Sequence, residues 1–120
     1  MKQELKKWIE KAEDDFDTAS YNLRGKKTDA AIFYSQQAAE KALKAFYIKK
    51  YKKLLKIHDL VLLGKAVGLP NDLLNEVKEL TFAYIYSRYP DVKEESNLKD
   101  KVVNFLNVSK RIIRWVKKNI

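Results

Sequence analysis

The chain has 120 residues and carries 25 Lys and Arg against 16 Asp and Glu, a formal charge of +9. That length is one domain with room for one core, so any site lies on a single small fold or between copies of it. Cysteine is absent, which excludes a disulfide framework, a thiolate metal site and thiol redox chemistry, and no apolar run approaches the roughly 18 residues that a membrane span needs.

Three glycines and two prolines are the only punctuation, and they fall between apolar patterns of helical period. Leu5, Trp8, Ile9, Ala12, Phe16, Ala19 and Leu23 recur at three and four residues, which predicts a first helix ending near Gly25 with an acidic outer face. Its opening, MKQELKKWIEKAEDD, is charged throughout and fits a cytoplasmic protein without membrane association. Thr28 is the expected N-cap, with Asp29 in the first turn, of a second helix reaching about Tyr51. Its inner arc holds Ile32, Ala39, Leu43 and Phe46 with Ala31, Ala38, Ala42 and Ala45. Such a row of alanines lets neighbours approach closely, so two packing partners are expected.

After a basic linker, HDLVLLGKAVG predicts a short third helix from about His58, closed by Gly64 or Gly68 and too short to stand alone. Pro70 and Asn71 start a fourth, on which Leu73, Val77, Leu80 and Tyr84 share a face, and the same spacing of four reaches Arg88. Pro90 removes a backbone donor and disfavours helical geometry at Tyr89, so that helix is expected to end there. Beyond the polar connection DVKEESN, a fifth helix turns Leu98, Val102, Phe105, Ile112 and Val116 inward and Lys110, Arg111, Arg114, Lys117 and Lys118 roughly outward. The expected fold is all-α: one domain over residues 1–120, an antiparallel up-down four-helix bundle with one additional short helix.

The sequence has no Gly-rich phosphate loop, no nucleophile elbow and no His-Glu-x-x-His, and a single histidine cannot build a histidine metal site within one chain. Neither metal nor cofactor is expected. Glu13, Asp14, Asp15 and Asp17 read as a solvated face of the first helix rather than a hard-cation site. From Lys41 to Lys56 there are seven lysines and no acid, interleaved with Phe46, Tyr47 and Tyr51. The net charge favours an anionic partner such as RNA, a nucleotide or an acidic protein surface. The run itself reads either as an anion-binding surface for RNA or nucleotide or as solvated helix ends complementing the helix dipole. A lysine-rich, cysteine-free composition is also what hyperthermophile proteins show. His58 and Asp59 read as a helix cap or as an acid-oriented general base.

The segments WIEKAEDDFDTASYNL, AAIFYSQQAAEKALKAFYI, HDLVLL and YIYSRYPD follow in an order and at a spacing that resembles the HEPN domain, over nearly the whole chain. QQAAEKALKA and RYPD are the most specific parts. The resemblance implies a bundle of about five helices that commonly dimerises and a nucleotide- or RNA-binding surface. For many such small proteins it implies action beside a minimal nucleotidyltransferase as a toxin–antitoxin pair. RNase members of the family carry an Arg followed, after four to six residues, by a His, paired across a dimer for metal-independent RNA cutting. Counted from Arg88, those positions hold Lys93, Glu94 and Glu95 here. Arg88 supplies charge to stabilise a phosphorane, but the base that deprotonates a 2′-hydroxyl is missing.

Three readings follow: a non-catalytic or weakly catalytic nucleotide- or RNA-binding module, homodimeric and partnered by a nucleotidyltransferase; an RNase using Arg88 with His58; or a purely structural dimerisation protein. The candidate binding residues are Arg88, Tyr84, Tyr89, Asp91, Gln36, Glu40, Lys44 and His58. In the first reading Arg88 holds a phosphate or partner carboxylate bidentately between walls formed by Tyr84, Tyr86 and Tyr89. As a structural element, Arg88 is expected to pair with Glu40 and lock helix four to helix two.

Overall fold

Five helices form in the order the apolar periods predict: α1 (Lys2–Arg24), α2 (Thr28–Tyr51), α3 (Leu60–Val67), α4 (Asn71–Arg88) and α5 (Leu98–Asn119). The structure, a computed structural model, describes residues 2–88 and 98–120 apart from the side chains of Tyr86, Leu98 and Lys99. The expected helix stop at Tyr89 and Pro90 lies outside the described residues.

α2 is the centre of the fold, and it packs against each of the other four helices rather than the two partners expected. Its composition explains this. Ala31, Ala38, Ala39, Ala42 and Ala45 are buried around several sides of the helix, beside Ile32 and Leu43, so no face is left to solvent over its middle and backbones approach from all directions. The Ser109 hydroxyl donates to the Ser35 carbonyl at 2.9 Å and Trp115 stacks on Phe46, so α5 runs parallel to α2. Glu13 on α1 meets Lys117 on α5, and Glu76 on α4 meets Arg111 on α5. Both pairs join helices of opposite direction. The result is the expected up-down four-helix bundle, with α3 as the additional short helix.

Local chemistry sets the helix ends. Lys27, not Thr28, is the N-cap of α2, and it makes no side-chain cap bond. The reason lies in the preceding turn: Lys26 takes a left-handed φ of 60°, and the Lys27 N–H donates back to the Asn22 carbonyl at 2.8 Å. The chain is thereby ready to enter α2 one residue early. α3 starts at Leu60 because the Asp59 carboxylate accepts from the Val61 and Leu62 N–H groups at 3.0 and 3.1 Å. It closes at Gly68, whose φ of 80° is the left-handed stop that glycine provides at least cost. Gly64 plays the other glycine role. A Cβ there would come within 3.0 Å of the Leu74 side chain, so it allows α3 to lie against the start of α4.

The acidic face of α1 is solvated at Glu13, Asp14 and Asp17. Asp15 departs from that expectation. It is buried and paired with exposed Lys11 at 3.3 Å and with part-buried Lys41 of α2 at 3.5 Å; the Lys41 pair ties α1 to α2, because the carboxylate needs a counter-charge once out of water.

Candidate functional site

The spacing of four in QQAAEKALK places Gln36, Glu40 and Lys44 on one side of α2, and the bundle closes over all three. Glu40 is 3 % exposed and Lys44 6 %. Their charged groups meet at 3.5 Å, and the Lys44 ammonium also lies 5.9 Å from the centre of the Trp8 ring, a cation–π contact from α1. A buried carboxylate needs more than one partner. The second is His58, whose Nδ1 lies 3.2 Å from both Glu40 oxygens. The connection after α2 therefore doubles back to the middle of that helix. Its last two residues divide the work: His58 docks on Glu40, and Asp59 caps α3. The imidazole remains 82 % exposed.

Arg88 is placed differently. Its guanidinium donates to the Tyr84 hydroxyl at 2.7 Å and lies 5.2 Å from the centre of that ring. Tyr84 in turn packs on Phe33 of α2, ring centres 5.7 Å apart. The expected Arg88–Glu40 ion pair is thus replaced: Glu40 belongs to Lys44 and His58, because the 52–59 connection brings a histidine to that carboxylate. Phe33 precedes Glu40 by seven residues, about 10 Å along the helix axis. Within one chain, Arg88 and His58 are consequently anchored at separate levels of α2, with Gln36 between them. The remaining candidates, Tyr89 and Asp91, lie outside the described residues.

The lysine run also divides. Lys41 and Lys44 turn inward to Asp15 and Glu40, whereas Lys49, Lys50, Lys52, Lys53 and Lys56 are exposed. Its aromatic residues serve packing: Phe46 stacks on Trp115 at 5.1 Å, Tyr47 is buried, and the Tyr51 hydroxyl donates to the Ala66 carbonyl at 2.8 Å. Sequence reasoning missed Phe33, which backs Tyr84, and it placed Trp8 on the α1 stripe without its contact to Lys44. It also missed Phe82 and Ile85, which are 55 % and 48 % exposed on α4. The signal was available, since both fall off the Leu73–Val77–Leu80–Tyr84 stripe. Among the described residues no three His, Asp or Glu side chains gather as metal ligands, and no helix is long and apolar enough to cross a membrane.

Two solved structures share this architecture. The crystal structure of TT1696 from Thermus thermophilus superposes with a TM-score of 0.84 at 26 % identity, over 97 % of this chain and 98 % of that one. ST0689, described as an archaeal HEPN homologue, superposes with a TM-score of 0.77 at 32 % identity, over 96 % of each chain. Comparison with curated proteins gives no match. A family model described as the HEPN domain matches residues 5–119, from the first turn of α1 to the end of α5, and the chain therefore belongs to the HEPN domain family.

Proposed function

We propose that this chain is a homodimeric, cytoplasmic binding module that holds a nucleotide or RNA phosphate at Arg88. In this reading it pairs with a minimal nucleotidyltransferase as one half of a toxin–antitoxin type system and contributes little or no catalysis itself. The observation that carries the reading is the exposed Arg88 side chain laid on the Tyr84 ring and tied to its hydroxyl at 2.7 Å. An arginine already oriented on an aromatic face loses less side-chain freedom when it takes a phosphate bidentately. Dimerisation is supported by Phe82 and Ile85, exposed on the same helix one to two turns before Arg88. Apolar and aromatic residues beside an arginine match the composition of interface cores.

One observation favours the RNase reading as an alternative. Glu40 holds His58 through Nδ1, which leaves Nε2 on the exposed side of the ring, an arrangement suited to a general base. Against it stands the separation of that ring from Arg88 along α2.

The test is incubation of a mixed RNA pool with the purified protein in excess chelator, with Arg88→Ala and His58→Ala alongside and RNA binding followed by anisotropy. The expected result is no cleavage, binding that weakens with salt, and about tenfold or greater loss of affinity in Arg88→Ala alone. Cleavage abolished by both substitutions would establish the RNase reading. RNA and nucleotide affinities untouched in a folded Arg88→Ala protein would remove the binding role and leave the structural dimer. Phe82→Asp is expected to convert the dimer to a monomer in light scattering after size exclusion. An unchanged mass would place the interface elsewhere.

A further inference from the structure

On the other side of the bundle, α1 and α5 run antiparallel and the Glu13–Lys117 pair crosses between them at 3.3 Å. On one side of that pair lies a cleft of about 570 Å³ floored by Leu5, Ile9 and Ile120. On the other lies a smaller one of about 250 Å³, floored by Phe16 and Ile113. Glu13 lines both, so the two clefts adjoin end to end as one surface groove crossed by the Glu13–Lys117 pair. From Lys2 to Asp17 along α1 it runs about 22 Å.

The rim is cationic. Lys2 and Lys6 come from α1 and Lys49 and Lys52 from the end of α2, and Lys110, Arg114 and Lys117 continue the line on α5. Glu10, Glu13 and Asp17 are the only acids among these lining residues, so seven cations face three. Lys52 adds a backbone observation: it is the C-cap of α2, with a φ of 59°. Glycine is preferred in that conformation, yet the chain has a lysine there, at the mouth of the cleft.

We infer that this groove receives an acidic amphipathic helix of a partner protein. A strip of apolar floor flanked by cations complements a helix with apolar residues at every third and fourth position and acids along its sides. Two antiparallel helices offer the ridges and grooves in which a third can lie, and 22 Å accommodates about 15 helical residues. Phe16 is the one aromatic among the groove's lining residues, and the larger cleft, which carries most of the volume, has none, so that cleft gives a nucleobase no platform on which to stack. The inference is independent of the Arg88 reading, since among the described residues α1 makes no contact with α4.

The test uses the full chain and a fluorescent synthetic peptide of about 15 residues, with leucines at helical spacing and glutamates elsewhere, followed by anisotropy. Saturable binding is expected. It should fall about tenfold or more in Ile9→Glu and in the Lys49→Glu/Lys52→Glu double variant, with circular dichroism confirming the fold. It should be unchanged in Lys78→Glu, an exposed position of α4, and in Arg88→Ala. A peptide with the same glutamates but serine for leucine should bind about tenfold more weakly. Equal binding of the serine peptide would reduce the surface to bulk charge and overturn the inference, as would affinities that the groove variants leave unmoved. Absence of peptide binding would also overturn it. If the same variants instead abolished sedimentation with anionic phospholipid vesicles or binding to RNA, the groove would belong to that partner class.

Discussion

Glu40→Ala is expected to destabilise the protein by about 3–5 kcal/mol, the range found when one partner of a buried ion pair is removed. Lys44, 6 % exposed, would be left without its counter-charge, and His58 would lose the carboxylate that holds the 52–59 connection against α2. Urea denaturation measures the effect as a lowered midpoint. The double variant Glu40→Leu/Lys44→Met separates the cost of the stranded charge from the value of the pair. It should recover to within about 1 kcal/mol of the parent or exceed it, because apolar groups of similar size are often no less stable than a buried pair. A loss below about 1 kcal/mol in Glu40→Ala would show that solvent already reaches the pair and that its burial carries little energy.

The second large effect concerns space. Ala38→Leu is expected to cost about 1–3 kcal/mol, and more if the backbone cannot shift. Ala38 has no exposed surface and lies on a helix packed against four others, so three added carbons have no exit to solvent. The same urea experiment measures it, and a variant as stable as the parent would mean that α2 is less tightly enclosed than its burial indicates.

The helices were legible in the sequence because their apolar residues keep one period and their breaks carry Gly, Pro or Asp. α2 ends at Tyr51 and α4 begins at Asn71, as the pattern predicts. Errors fell where a backbone event, not a side chain, sets the boundary, as at Lys26 and Lys27. The candidate site was legible only in part. Gln36, Glu40 and Lys44 do share one side of α2, and the pattern places Glu40 in an ion pair, though with Arg88; Asp15 reads as solvated, since nothing in periodicity marks it, or Lys44, as buried. Their partners are remote in sequence or follow an irregular connection: Lys41 is 26 residues from Asp15 and His58 is 18 from Glu40. The spacing of four along α4 identified Arg88 and Tyr84 as neighbours, yet it could not show that Glu40 was already engaged.

Trp8 and Trp115 stand on the first and last helices, and both look toward α2, one at the Lys44 ammonium and the other at the Phe46 ring. They are the only two tryptophans in the chain. The protein therefore contains two optical reporters at different joints of the bundle. In a Trp115→Phe background, indole emission follows the seating of α1 beside the buried charge pair. In a Trp8→Phe background it follows the attachment of α5, so departure of the two outer helices from the central one can be timed separately without an added label.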